Sequence, residues 1–182
     1  MGWILLAVLA VAAFGVMGIY NQLVQTRVQV KEGWSGIDVQ LKRRHDLIPN
    51  LVETVKGYMQ HERGTLEKVT QLRSQVTGSS GIEERAGVEN QITQALKTIF
   101  AVAENYPELK ANQNFVQLQG NLNEIENEIQ LARRYYNGTV RNLNVMVQAF
   151  PSNLVAQVFH FEKADFFEVE AATERAVPEV KF

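Results

Sequence analysis

The sequence predicts an all-α protein: a single N-terminal transmembrane helix followed by an elongated antiparallel bundle of about four helices, the first and third of them long. Three observations lead there. Met1 to Thr26 contains no Asp, Glu, Lys or Arg; apolar residues downstream recur over long stretches at three- and four-residue steps; and few segments alternate as strands do. The expected organisation is a membrane anchor at 1–26, a helical bundle at 27–160 and an acidic, aromatic tail at 161–182.

The anchor comes first. Trp3 to Tyr20 reads WILLAVLAVAAFGVMGIY, 18 apolar residues without a break. At about 1.5 Å per residue this makes roughly 27 Å of helix, close to the hydrocarbon thickness of a bilayer. A core helix of a soluble domain would be shorter and carry a polar face, whereas this stretch is apolar all round. A cleaved signal peptide would open with basic residues, and none precedes Trp3. Cutting at the small residues Ala10-Val11-Ala12 would also leave too short an apolar core. Trp3 and Tyr20 therefore bound the expected span. Arg27, Lys31, Lys42, Arg43 and Arg44 follow it. The positive-inside bias then places the bundle in the cytoplasm and the amino terminus outside, with membrane lipid as a partner. Arg27 and Lys31 can rest against anionic headgroups at about 1 kcal/mol each.

The first apolar stripe is Val30, Trp34, Ile37, Leu41, Ile48, Leu51, Val55, Tyr58, Leu66, Val69, Leu72 and Val76, with polar gaps at Arg44 and Glu62. A sustained period of about 3.5 residues is the pattern of helices packed along their length, as in a coiled coil. Pro49 removes one backbone bond and crowds the carbonyl of His45, so a kink near Asp46–Asn50 is expected, with the helix continuing. Unbroken from Trp3 to Val76, it would span about 110 Å.

Thr77-Gly78-Ser79-Ser80-Gly81 has linker composition. A second stripe, Ala86, Ile92, Leu96, Ile99, Phe100 and Ala103, stops before Asn105-Tyr106-Pro107. The third runs from Phe115 through Leu118, Leu122, Ile125, Ile129, Ala132, Tyr136, Val140, Leu143 and Val147 to Phe150, where Pro151-Ser152-Asn153 ends it and starts a short helix. Short connections between long helices imply antiparallel neighbours. The last part holds Phe159, Phe161, Phe166 and Phe167 among mainly acidic charges. These rings are expected to cap one end of the bundle, since left exposed they would mark a docking patch.

Few groups are equipped for chemistry. With no cysteine there are no disulfides, thiolate nucleophiles or thiolate metal sites. A di-iron bundle needs Glu three residues before His, but Lys42, Tyr58 and Gln157 precede His45, His61 and His160. His61-Glu62 opens a zinc-protease pattern that Thr65 fails to complete. Gly78-Ser79-Ser80-Gly81 lacks the lysine and strand of a phosphate loop. A net charge of -2 gives no field for nucleic acid, and Trp34 near Lys42-Arg43-Arg44 reads as a seam residue. The expectation is therefore no enzyme, no cofactor, no metal and no nucleic-acid partner.

More informative are the charges at or near seam positions: Asp38, Arg44, Glu62, Arg73, Glu126 and Arg133. An unpaired charge in a dry bundle costs several kcal/mol, so these must pair across helices or lie at an edge. They are candidates for a structural polar network that sets helix register; the competing reading is a polar patch awaiting a partner.

Several segments together resemble one family. They include Tyr20-Asn21, then the run from Leu41-Lys42-Arg43-Arg44-His45-Asp46 through Leu47-Ile48-Pro49-Asn50-Leu51, and Tyr58-Met59-Gln60-His61-Glu62. Tyr106-Pro107-Glu108-Leu109, Ile125-Glu126-Asn127-Glu128-Ile129, Ala132-Arg133, Tyr136-Asn137, Asn144 and Phe150-Pro151-Ser152-Asn153-Leu154-Val155-Ala156 continue it. In order and spacing these resemble LemA family proteins over nearly the whole chain; Gly78–Gly87 and the tail after His160 match least. The resemblance implies a bacterial single-pass protein of the cytoplasmic membrane with a small external amino terminus and a cytoplasmic helical bundle. It brings no catalytic residues. Because family members are often encoded near membrane proteases, it also suggests a membrane-protein partner. The function expected is a membrane-anchored scaffold that self-associates into a homo-oligomer and organises or remodels the membrane. The alternative is an adaptor or regulator that binds another membrane protein, such as a protease.

Overall fold

The computed structural model describes residues 1–59, 61–76, 78 and 81–168. Among these the chain is helical, with no strand: α1 Gly2–Lys56, α2 Arg63–Val76, α3 Ile82–Ala103, α4 Pro107–Lys110, α5 Gln113–Gln148 and α6 Ser152–Val158. The all-α prediction holds; the first stripe is divided between α1 and α2, and the third lies along α5. Thr77, Ser79 and Ser80 of the expected linker, and residues 169–182 of the expected tail, lie outside the described residues.

Local chemistry marks the starts of three helices. Asn112 caps α5, its side-chain oxygen accepting from the backbone N–H groups of Asn114 (2.9 Å) and Phe115 (3.2 Å). Pro107 opens α4, where its missing N–H is no loss. Glu83 and Glu84 sit in the first turn of α3, where carboxylates offset the helix dipole.

The first helix ends sooner than its stripe suggests. It passes through Pro49 and stops at Lys56, so the expected run to Val76 is broken at Gly57, not at the proline. The N–H groups of Tyr58 and Met59 both donate to Val55 O, at 3.0 and 2.9 Å, and Glu62 O starts α2. Proline is tolerated because its one lost bond is replaced. The carbonyl that Pro49 cannot reach is that of His45, and Arg73 Nε of α2 donates to it at 3.0 Å. The stripe keeps its rhythm across the break because both helices face one core.

Contacts divide the described residues into two compact units, one of Met1–Gln40 with Asn127–Phe166, the other of Leu41–Glu126 with Phe167 and Glu168. In the first, Leu23, Val30 and Ile37 of α1 are buried, as are Ile129, Tyr136, Val140 and Leu143 of α5. Thr26 lies against Met146, and Trp34 against Tyr136, so α5 numbers fall as α1 numbers rise and the pair is antiparallel. Gly33 permits their close approach, since a β-carbon there would lie 3.1 Å from Tyr136 Cα. At the start of this unit, residues 2–18 of α1 are exposed throughout.

The chain after α5 folds back along the first unit. At the end of α6, His160 takes a left-handed conformation (φ 55°). Its N–H donates to Gln157 O at 3.3 Å, and that of Phe161 to Ala156 O at 2.8 Å. This is the Schellman ending that glycine usually makes, and it turns Phe161 inward. Phe161 is buried beside Tyr20 (ring centroids 5.9 Å), with the Arg27 guanidinium 4.7 Å from its ring centre. Asn144 then pairs both its amide groups with the backbone of Ala164, each at 2.9 Å. Tyr136 donates its hydroxyl to Asp165 O at 2.8 Å. Burial, with the Asp165 charge, pushes the Tyr136 hydroxyl up to about 12, so it stays a donor.

The second unit has a continuous apolar core. Ile48, Leu51 and Val55 of α1 meet Leu66, Val69 and Leu72 of α2, Ile92, Leu96 and Ile99 of α3, Leu109 of α4, and Phe115 and Leu122 of α5. Each such side chain contributes about 1.5–3 kcal/mol when fully buried.

Candidate functional site

In the second unit the α1 stripe is interrupted at Arg44, and the structure shows what fills that place. Arg44 is fully buried. Its guanidinium is shared between α3 and α5: Nη2 meets the Glu89 carboxylate and lies 3.2 Å from Glu89 O, while Nη1 meets the Glu126 carboxylate and donates to Thr93 Oγ1 at 2.8 Å. Thr93 in turn donates to Glu126 at 3.1 Å. His45 Nε2 lies 3.1 and 3.2 Å from the two Glu89 carboxylate oxygens. One arginine thus joins three helices. Its Nε remains without a hydrogen-bond partner.

The fork of N–H groups on arginine suits this position, because it can serve two carboxylates from one plane. Burial works to raise the Glu89 pKa, but the His45 hydrogen bond and the Arg44 and His45 charges outweigh it and hold the carboxyl below its ordinary value. Glu89 therefore stays charged at neutral pH inside the bundle. Arg44, 1% exposed in its side chain, and Glu89, 3% exposed, face protein on every side. Glu126, at 20%, and His45, at 16%, reach the edge.

Of the residues singled out from sequence, Arg44 and Glu126 come together. Arg73 stands next to the network, held on His45 O. Glu62 lies elsewhere in the second unit, accepting the Tyr106 hydroxyl at 2.8 Å; that hydrogen bond, with burial and the Glu62 charge, raises the Tyr106 pKa. Asp38 and Arg133 are half-buried in the first unit, on α1 and α5. Trp3 is 86% exposed near the start of α1, and Tyr20 packs on Phe159 with ring centroids 4.7 Å apart.

Glu89, Thr93 and His45 were missed from sequence. Glu89 carried a readable signal: the second stripe jumps six residues from Ala86 to Ile92, which is no helical step, and position 89 restores a three-three rhythm. Thr93 and His45 lie off the stripes and become legible only once the helices are packed. Among the described residues, no cluster of three or more His, Asp or Glu is placed to hold a metal ion.

The chain can be set beside known proteins on this geometry. It is 29% identical over 161 residues to protein LemA of Metamycoplasma hominis, covering 86% of this chain and 69% of that one. It is 23% identical to magnetosome protein MamQ 2 of Paramagnetospirillum magneticum, covering 92% of this chain and 72% of the relative. To magnetosome protein MamQ of Magnetospirillum gryphiswaldense it is 20% identical, covering 84% and 66% respectively. The LemA family model matches residues 33–182, taking in Arg44, His45, Glu89, Thr93 and Glu126. With most of the chain inside that match, this protein belongs to the LemA family.

Proposed function

We propose that this protein is a membrane-anchored scaffold that acts through helix-mediated self-association and has no catalysis of its own. One observation carries the reading: α1 is a single helix whose first part is apolar and exposed, and whose later part is a seam of the bundle. A helix that is apolar on all sides and unpacked in its own fold has lipid as its natural solvent. Because the same helix continues from the apolar stretch into the seam of the first unit, neighbours held in the bilayer would present that unit in parallel. The relatives named as magnetosome proteins fit a part in a larger assembly. The Arg44 site supports a structural role as well, since its charges are spent on one another.

In this reading the bundle lies on the cytoplasmic side of a bacterial inner membrane with the amino terminus outside. Arg27, Lys31, Lys42 and Arg43 follow the span and are exposed, as the positive-inside rule requires, whereas Arg44 is neutralised within the core.

Light scattering on the full chain in mild detergent tests the scaffold. The expected result is a mass that rises with concentration to multiples of the monomer. A strict monomer at every concentration would rule self-association out, and crosslinks in cells to a different membrane protein alone would favour an adaptor instead.

A further inference from the structure

We infer that the α5–α6 corner is a second membrane-contact element, in which Phe150, Leu154, Val158 and Phe159 sit at the headgroup–acyl boundary of the bilayer that α1 crosses. This rests on the membrane-anchor reading above.

The first argument is distribution. Elsewhere beyond the anchor, exposed large apolar residues are spaced more widely: Val28, Val39, Val116 and Val145, with Leu131 and Tyr135 one turn apart on α5. In this corner four of them crowd into ten positions, with Phe150 81% and Val158 70% exposed. A contiguous apolar patch on a protein surface marks a contact. The second argument is polarity within α6. Leu154 and Val158, four residues apart, share its outer face, while Val155 and Ala156 are buried against the first unit. The helix thus presents one apolar face inward and another outward.

Position identifies the occupant. Thr26 contacts Met146, and Phe159 packs on Tyr20, so the chain from 146 to 159 returns along α1 toward the last residue of its apolar run. Apolar surface is therefore continuous from Met17 and Tyr20 of the anchor onto Phe159. Where α1 enters lipid, the corner lies at the same level, and the Arg27 guanidinium over Phe161 supplies a cation at headgroup depth. A lipid surface meets all of this: an apolar face at the boundary of a bilayer, about 5–10 Å deep, beside a basic side chain.

The chain has no cysteine, so single cysteines give clean probe sites. Full-length protein carrying Val158→Cys, Phe150→Cys, Leu9→Cys or Val116→Cys is labelled with a polarity-sensitive dye and reconstituted into phosphatidylethanolamine–phosphatidylglycerol vesicles. Quenching is then read with shallow and deep spin-labelled lipids and with aqueous iodide. Dyes at 158 and 150 should emit at shorter wavelength than at 116, be quenched most by the shallow lipid and resist iodide. The dye at 9 should respond to the deep lipid. If 158 and 150 behave like 116 while 9 reports lipid, the corner proposal is wrong and the anchor stands. If 9 itself is open to iodide, the anchor reading fails and takes the corner with it. Shielding of 158 from both quenchers, with dye self-quenching, would show a second copy of the chain on the patch and would overturn lipid contact.

Discussion

Helices α1 and α5 supply both units, yet the two are held by different chemistry. In the first, the returning chain is fixed mainly by neutral groups, namely the Asn144 amide on Ala164, the Tyr136 hydroxyl on Asp165 O, and the Tyr20 and Phe161 rings, with the exposed Arg27 guanidinium over Phe161. In the second, a buried guanidinium binds two carboxylates from two other helices. Neutral contacts of this kind are worth about 1 kcal/mol each and can be removed one at a time. A charge network behaves as a unit, because any member left alone is a buried ion. The contrast teaches that the anchor-bearing unit can be adjusted in small steps, whereas the other is all or nothing.

The sharpest break in this comparison is Arg44→Met. It should destabilise the full chain by about 3–5 kcal/mol, read as urea or thermal unfolding in detergent, since Glu89 and Glu126 would lose their cation. Adding Glu89→Leu and Glu126→Leu should recover most of the loss. A loss below about 1 kcal/mol would erase the distinction between the units. Acid should reveal the same asymmetry. The Glu89 carboxyl is held below its ordinary value of 4.5, so its stabilisation is complete above that value and is lost as pH falls through the lower folded pKa. Melting temperature should therefore drop on acidification, and Glu89→Gln should flatten that dependence.

Next in size is Arg73→Met. It leaves the His45 carbonyl without a donor and should cost about 1–3 kcal/mol. Pro49→Ala returns an N–H to that carbonyl, so the same arginine substitution should cost much less in the alanine background. A double-mutant cycle reads the coupling directly, and additivity would show that Arg73 does not substitute for the missing helix bond.

The smallest effect belongs to the first unit. His160→Gly should stabilise by about 0.5–1 kcal/mol, because only glycine adopts the left-handed turn without a β-carbon penalty. A loss of stability would mean that the imidazole contributes more than the turn costs it.

Much of the fold was legible in the residues. The three stripes named most of the buried positions on α1, α2, α3 and α5, and Arg44 stood out as a polar residue on a seam. The break at Gly57 was not legible, because a stripe reports which face is buried and is blind to whether one helix or two provide it. The helix continues through Pro49, as expected, but what replaces the lost backbone bond was not legible: that donor, Arg73, comes from 24 residues further along the chain. Glu89 was visible only as a gap of six.

By itself, then, the sequence determined the helical class, the apolar character of the first helix and the faces that turn inward, since these follow from periodicity and solvent preference within each segment. Tertiary structure alone decided which charges meet. Arg44 pairs with Glu89 and Glu126, across separations of 45 and 82 residues, and no local pattern encodes such a choice. Ion pairing depends on distances of a few ångströms, and those exist only after the apolar faces have brought the helices into register.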